Sequence, residues 1–178
     1  LTNGSGYTFT VTATNSAGTS SPSSASSSVT PQGSSAISIS TSSTGTYGTA
    51  QTITATLTNT NGSVNFKLDG TSISGCGTVQ SSSLSATCSW TPAAVNSSAA
   101  ITAELTPNTQ AFSSSSSSTV NVNVGARAIT IDAANKSAAY TGNPVSVTNS
   151  YSITSGSLYG ADAIGSISYG YSTSNPTN

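Results

Sequence analysis

One property of this chain constrains its fold more than any other: apolar and hydroxyl-bearing residues exchange places at every step, in one short run after another. Tyr7 to Ala13 reads Tyr-Thr-Phe-Thr-Val-Thr-Ala. Ala36 to Ser40, Thr52 to Leu57 and Leu84 to Cys88 repeat the pattern. A period of two places one set of side chains on each face of a β-strand, whereas a helix needs a period near 3.6. No helical periodicity competes with it. Val64 to Leu68 and Thr71 to Ile73 flank Asp69-Gly70, the pair that best tolerates the positive φ of a two-residue hairpin turn. With Ala99 to Leu105 and Thr119 to Val124, about seven short strands lie between Ala36 and Val124, the density of a β-sandwich of about 100 residues.

Composition alone leaves a second reading open. Of 178 residues, 34 % are hydrophobic and 4 % charged, with a net charge of −1. Such a chain is either a low-complexity linker or a set of β-domains whose outer faces carry hydroxyls in place of charges. The alternation favours the domains, because one apolar face per strand suffices for two sheets to share a core. Ser20 to Ser28 and Ser113 to Ser118 lack alternation and read as loops or linkers.

The charge balance excludes several functions. Three Lys and Arg residues cannot line a phosphate-tracking surface or a polybasic membrane anchor, so neither nucleic acid nor anionic membrane is an expected partner. No apolar run approaches the ~20 residues of a membrane helix. No signal-peptide pattern opens the chain. Leu1 is not an initiator Met, and the chain reads as an excerpt or processed product of a longer secreted protein. Cys76 and Cys88 are the only cysteines. In a Ser/Thr-rich, Lys-poor chain the pair suggests an oxidising compartment and a disulfide that locks a hairpin; the alternative is two buried thiols.

The expected organisation is all-β: one complete central domain over 32–125, flanked by partial domains over 1–31 and 126–178. The first flank holds two strands. The second holds about four, at Ile129 to Asp132, around Ala138 to Tyr140, Val145 to Ile153 and Ile164 to Tyr171.

Three family resemblances overlay this pattern. The run from Leu1 to Gly18, with its central YTFTVTATNSAG, resembles the end of a bacterial fibronectin type III domain; Pro22 to Pro31 stands where the last strand would be. Residues 36–125 resemble a bacterial Ig-like repeat, on Thr46-Tyr47-Gly48-Thr49, the stretch Gly62 to Gly70, the cysteine pair, Ser89-Trp90-Thr91-Pro92 and Val120 to Val124. Ser63 takes a place usually held by Thr, and Thr106 to Phe112 lacks the acid of the family's Y-x-G-D step. Residues 127–178 resemble the start of an MBG-type repeat, on Ile129 to Lys136, Tyr140 to Pro144 and Tyr151 to Leu158. Together the resemblances imply tandem immunoglobulin-like β-sandwiches in a repetitive protein of the bacterial cell surface.

Little in the chain points to catalysis. There is no His. The acids Asp69, Glu104, Asp132 and Asp162 are scattered, so neither a carboxylate pair for hydrolysis nor a clustered calcium site is expected, and no cofactor. An intramolecular isopeptide bond would draw on Lys67 or Lys136, an Asn and Glu104, but Lys67 alternates with Phe66 and Leu68 and should point outward. Trp90, beside Cys88 and before Pro92, reads as core packing, with a carbohydrate platform as the rival reading. Regular Thr spacing is the outer face of a strand rather than an ice-binding array. Asn3, Asn61, Asn96 and Asn135 head sequons, and the Ser runs are candidate O-glycan sites. The expected function is a structural module of an extracellular stalk, adhesin or filament, not an enzyme. Its partners would be copies of itself or neighbouring domains, with residues 1–31 completing 126–178 of a neighbouring chain by strand addition. The alternative is an adhesin module for a surface glycan or host protein.

Overall fold

A computed structural model describes residues 1–133 and 151–166. The described residues form strands and no helix. In chain order the strands are β1 Thr14–Asn15, β2 Gly18–Thr19, β3 Ala36–Ser40, β4 Thr44–Thr46, β5 Gln51–Thr58, β6 Gly62–Leu68, β7 Thr71–Ser72, β8 Val79–Gln80, β9 Ser85–Trp90, β10 Asn96–Pro107, β11 Ser115–Ser116, β12 Val120–Gly125, β13 Thr130–Ala133 and β14 Tyr151–Ser155. Contacts divide the chain into two units, Leu1–Gly125 and Ala126–Asn178.

In the first unit two sheets share one core. The smaller has the order β3-β5-β9, with antiparallel pairing throughout. The larger has the order β4-β12-β10-β6-β7, with β8 also on β6 and β11 on β10. Its pairs are antiparallel except β4 with β12, which is parallel. Alternation places the core. Ile53, Ala55 and Leu57 of β5 face Val64 and Phe66 of β6, Ile101, Ala103 and Leu105 of β10, and Val122 and Val124 of β12 in a single buried cluster. The Thr and Ser between them lie on the outside. Burying a side chain of the size of Phe66 or Ile53, both 0 % exposed, contributes about 1.5–3 kcal/mol. The hairpin turn forms at Asp69 (φ 48°) and Gly70 (φ 82°), the positions the Asp-Gly pair predicts.

The serine runs are hydrogen-bonded into the fold, although Ser20 to Ser28 forms no strand. Residues 7–13 and 20–29 form a hairpin closed by β1 and β2, and its serine arm is paired through an unusual ladder. The Phe9, Val11 and Ala13 carbonyls accept the N–H of Ser26, Ser23 and Ser20. In return the N–H groups of Phe9, Val11 and Ala13 donate to the hydroxyls of those same serines, at 3.0–3.1 Å. Each hydroxyl stands in for a backbone carbonyl and then donates to the carbonyl of the next residue. The serine arm therefore advances three residues for every two on its partner, a bulge repeated along the arm. Ser113 to Ser118 is likewise built in: Ser115–Ser116 is β11, and Ser117 pairs with Ala103 in the same serine fashion. Period-two templates miss this pairing because the repeat on the serine side is three.

Residues 1–31 meet the central domain at Gly4, which lies against Ala111; within 1–31 the Gly4 N–H donates to the Pro31 carbonyl, and the chain enters the central domain at Gly33, which bridges Phe112. A Cβ on Gly4 would lie 3.2 Å from Ala111, and φ there is +83°.

The second unit contains the antiparallel pair β13–β14, with Ile131 opposite Ile153. Arg127 donates to Ser157 at 2.8 Å. β13 falls within the expected strand Ile129 to Asp132 plus one residue. The expected strand around Ala138 to Tyr140, the first part of Val145 to Ile153 and the last part of Ile164 to Tyr171 lie outside the described residues. Residues 164–166 are described and are not strand.

Candidate functional site

The site builds from the edge of the larger sheet. Residues 71–81 run along the outside of β6. Thr71 and Ser72 pair with Leu68 and Lys67, and Val79 and Gln80 with Val64 and Ser63. Between them the chain makes a short excursion at Ser74-Gly75, where Gly75 has φ +77°. It returns with Ile73 donating to the Phe66 carbonyl and the Phe66 N–H donating to Cys76. This register turns Ile73, Cys76 and Val79 toward the core.

Cys76 and Cys88 are disulfide-bonded, with Cα atoms 5.8 Å apart. Cys88 lies on β9, the terminal strand of the smaller sheet. The bridge therefore does not lock a hairpin, as the spacing alone suggested: it fastens the edge of one sheet to the edge of the other. Both cysteines are buried, at 5 % and 2 % exposure.

Trp90 ends β9 opposite Gln51 and is 5 % exposed, a member of the core cluster. Its ring is not an open platform. Among the described residues its indole N–H has no hydrogen-bond partner.

Beside Trp90 the two sheet edges part into a cleft of about 430 Å³. Leu68, Ile73 and Trp90 give it an apolar floor. Thr71, Ser72, Ser74, Ser89 and Thr91 line its rim. No charged side chain borders it. Ser72 donates to Asn65, whereas the other four hydroxyls have no protein partner among the described residues. Sequence patterning did not reveal this cleft. Its walls come from stretches about 20 residues apart on different sheets, and neither stretch carries a local motif.

Asp69 is consumed by its turn: its N–H donates to Ala100, and its carboxylate accepts the Ala100 N–H at 3.0 Å. Glu104 pairs with Lys67 at 2.6 Å on the outer face, with side chains 47 % and 22 % exposed. Lys67 thus points outward, held by a carboxylate in a wet position that does not favour isopeptide formation. Asp132 is exposed on β13, and Asp162 lies in the turn that follows Tyr159. Among the described residues no group of three or more His, Cys, Asp or Glu side chains is placed to hold a metal. Lys136 and Asn135 lie outside the described residues. Asn61 is tied down, its carbonyl oxygen accepting from Ser81 and from the Leu84 N–H.

In the N-terminal hairpin the Tyr7 hydroxyl accepts the Thr2 N–H at 2.7 Å. That backbone hydrogen bond favours the ionised phenol and lowers its pKa from the usual 10.0. Comparison with protein-family models, curated proteins and solved structures finds no match for the chain.

Proposed function

We propose that this chain is a structural module of an extracellular stalk, adhesin or filament, built from tandem immunoglobulin-like β-sandwiches. The observation that carries the reading is the Cys76–Cys88 bridge between the edges of two sheets. The opposite flank is closed as well: Ser35, just before β3, donates to Ser113 at 2.6 Å and lies 2.9 Å from the Ser115 hydroxyl. With both flanks fastened, a pull along the chain must shear sheet hydrogen bonds or leave the bridged segment behind. A formed disulfide is compatible with an oxidising, extracellular setting. No described helix is long and apolar enough to cross a membrane.

Strand order supports the immunoglobulin-like reading of the central domain. The sheets β3-β5-β9 and β6-β10-β12 have the A-B-E and C-F-G connectivity of that class. The disulfide departs from it, since it does not join the second and penultimate strands, and Phe66 fills the core on β6 where antibody domains carry Trp. The Tyr7–Thr2 hydrogen bond supports the fibronectin type III resemblance of residues 1–31, because a tyrosine corner makes this type of bond.

The hairpin leaves Phe9, Val11 and Val29 at 52 %, 71 % and 55 % exposure, an apolar face that added strands from a neighbouring chain would cover. Sedimentation of the chain tests this part of the reading. Concentration-dependent association that Phe9→Ser weakens supports it, and a monomer at every concentration removes it.

Single-molecule stretching tests the stalk itself. The oxidised central domain should unfold in one cooperative step against a clear force barrier. Reduction should lengthen that step by about 36 Å, since 12 residues of extended chain are released from a 5.8 Å bridge. Gradual extension without a barrier would sink the stalk reading.

A further inference from the structure

We propose that the cleft between the β7 and β9 edges binds a neutral saccharide, an activity additional to bearing load. The chemistry of the walls selects the ligand. A sugar ring presents an apolar C–H face and a periphery of hydroxyls. The cleft presents an apolar floor of Leu68, Ile73 and Trp90 beneath a rim of Thr and Ser hydroxyls. Its volume of about 430 Å³ falls within the range of small-molecule sites, about 300–1,000 Å³.

Charge narrows the choice further. An anionic or cationic ligand would lose water on entering and find no countercharge, because no ionisable side chain lines the cleft. A purely apolar ligand would strand the hydroxyls of Thr71, Ser74, Ser89 and Thr91, which have no protein partner among the described residues and each carry a donor and acceptor lone pairs. β7 and β9 are both terminal strands, so each contributes backbone groups that no neighbouring strand uses. The Cys76–Cys88 bridge holds the two edges at fixed separation, so the cleft exists before ligand arrives.

The test uses the intact chain. Trp90 is its single tryptophan, so intrinsic fluorescence reports on the cleft directly. Glucose, galactose and N-acetylglucosamine are titrated in the millimolar range, with glucuronate as the charged control. Backbone amide NMR shifts are followed in parallel. The expected result is saturable binding of at least one neutral sugar, with shifts concentrated at 68–74 and 89–91 and weaker binding of glucuronate. Ser74→Ala with Thr91→Ala removes two exposed rim hydroxyls without touching the core and should weaken binding several-fold. Absence of saturation with all three neutral sugars overturns the proposal. So does binding that the double variant leaves unchanged. So does exclusive binding of an uncharged strand peptide such as Thr-Phe-Thr-Val-Thr, which would mark the cleft as an edge for strand addition. The stretching experiment is independent of all these outcomes, so the load-bearing reading stands or falls separately.

Discussion

Ser117 meets Ala103 twice: its N–H donates to the Ala103 carbonyl at 2.9 Å, and its hydroxyl accepts the Ala103 N–H at 2.9 Å. Ser81 holds Gly62 in the same way, and Asp69 holds Ala100 through its carboxylate. A short side-chain oxygen thus closes the ladder at each of these three places. Burial decides what each closure contributes. Ala103 is 0 % exposed, so Ser117→Ala leaves a buried N–H without a partner and should cost about 1–3 kcal/mol. In a domain of this size that is a fall of at least about 4 °C in Tm. Ser118→Ala, one residue on, should stay within about 0.5 kcal/mol. Ser26→Ala in the exposed hairpin should also be mild, because water replaces the hydroxyl opposite Phe9. Thermal denaturation of the three variants checks the order.

Period-two alternation made the central strands legible because each of their residues advances one step along the sheet. Ile53, Ala55 and Leu57 read as one buried face, and so do Ala99 to Leu105. The serine pairing was illegible for a physical reason. Ser20, Ser23 and Ser26 recur every three residues, since a hydroxyl rather than a carbonyl closes each step, and a low-complexity run hides that period. The cysteine pair announced a crosslink, but its separation of 12 says nothing about which sheet each cysteine joins. That depends on residues 71–81 staying on β6 while β9 crosses to the other sheet. The cleft was invisible for the same reason, because Ile73 and Trp90 meet only through tertiary structure.

The turn between β8 and β9 carries strain. Ser83 and Leu84 have φ of +50° and +60°, and Ser82 and Ser85 exchange both backbone hydrogen bonds around them. A left-handed conformation costs a non-glycine residue about 1–2 kcal/mol. Leu84 is 37 % exposed, so little packing offsets this. Leu84→Gly should therefore raise stability by about 1 kcal/mol, net of the extra freedom glycine adds to the unfolded chain. An unchanged or lower denaturation midpoint would show that the Leu84 side chain contributes more than its exposure implies.

The Tyr7 phenol should titrate below its own unfolded-state value. The Thr2 N–H donates to its oxygen and favours the phenolate, so the folded-state pKa lies below the unfolded one. The linked stability is present above the unfolded-state pKa and is lost as pH falls through the folded one. In a tyrosinate absorbance titration of the folded protein, Tyr7→Phe should remove a component that ionises below the value of the unfolded chain's tyrosines. Loss of a component at or above the unfolded-state value instead would mean that the Thr2 bond does not form in solution.

Removing the bridge should expose how the two sheets depend on each other. A disulfide closing a loop of this length contributes about 3 kcal/mol, mainly by restricting the unfolded chain. Both sulfurs are buried beside Ile73 and Trp90, so the comparison needs variants that keep the volume filled. Cys76→Ala with Cys88→Ala leaves space in the core and should cost more than 3 kcal/mol. Cys76→Val with Cys88→Ala should recover part of the difference. If the bridge only fastens the edges, β5 and β10 amides should keep their relative hydrogen-exchange protection in the reduced protein, with opening concentrated at 71–81 and β9. If protection instead falls evenly through both sheets, the bridge is a condition of the whole fold rather than a rivet on one flank.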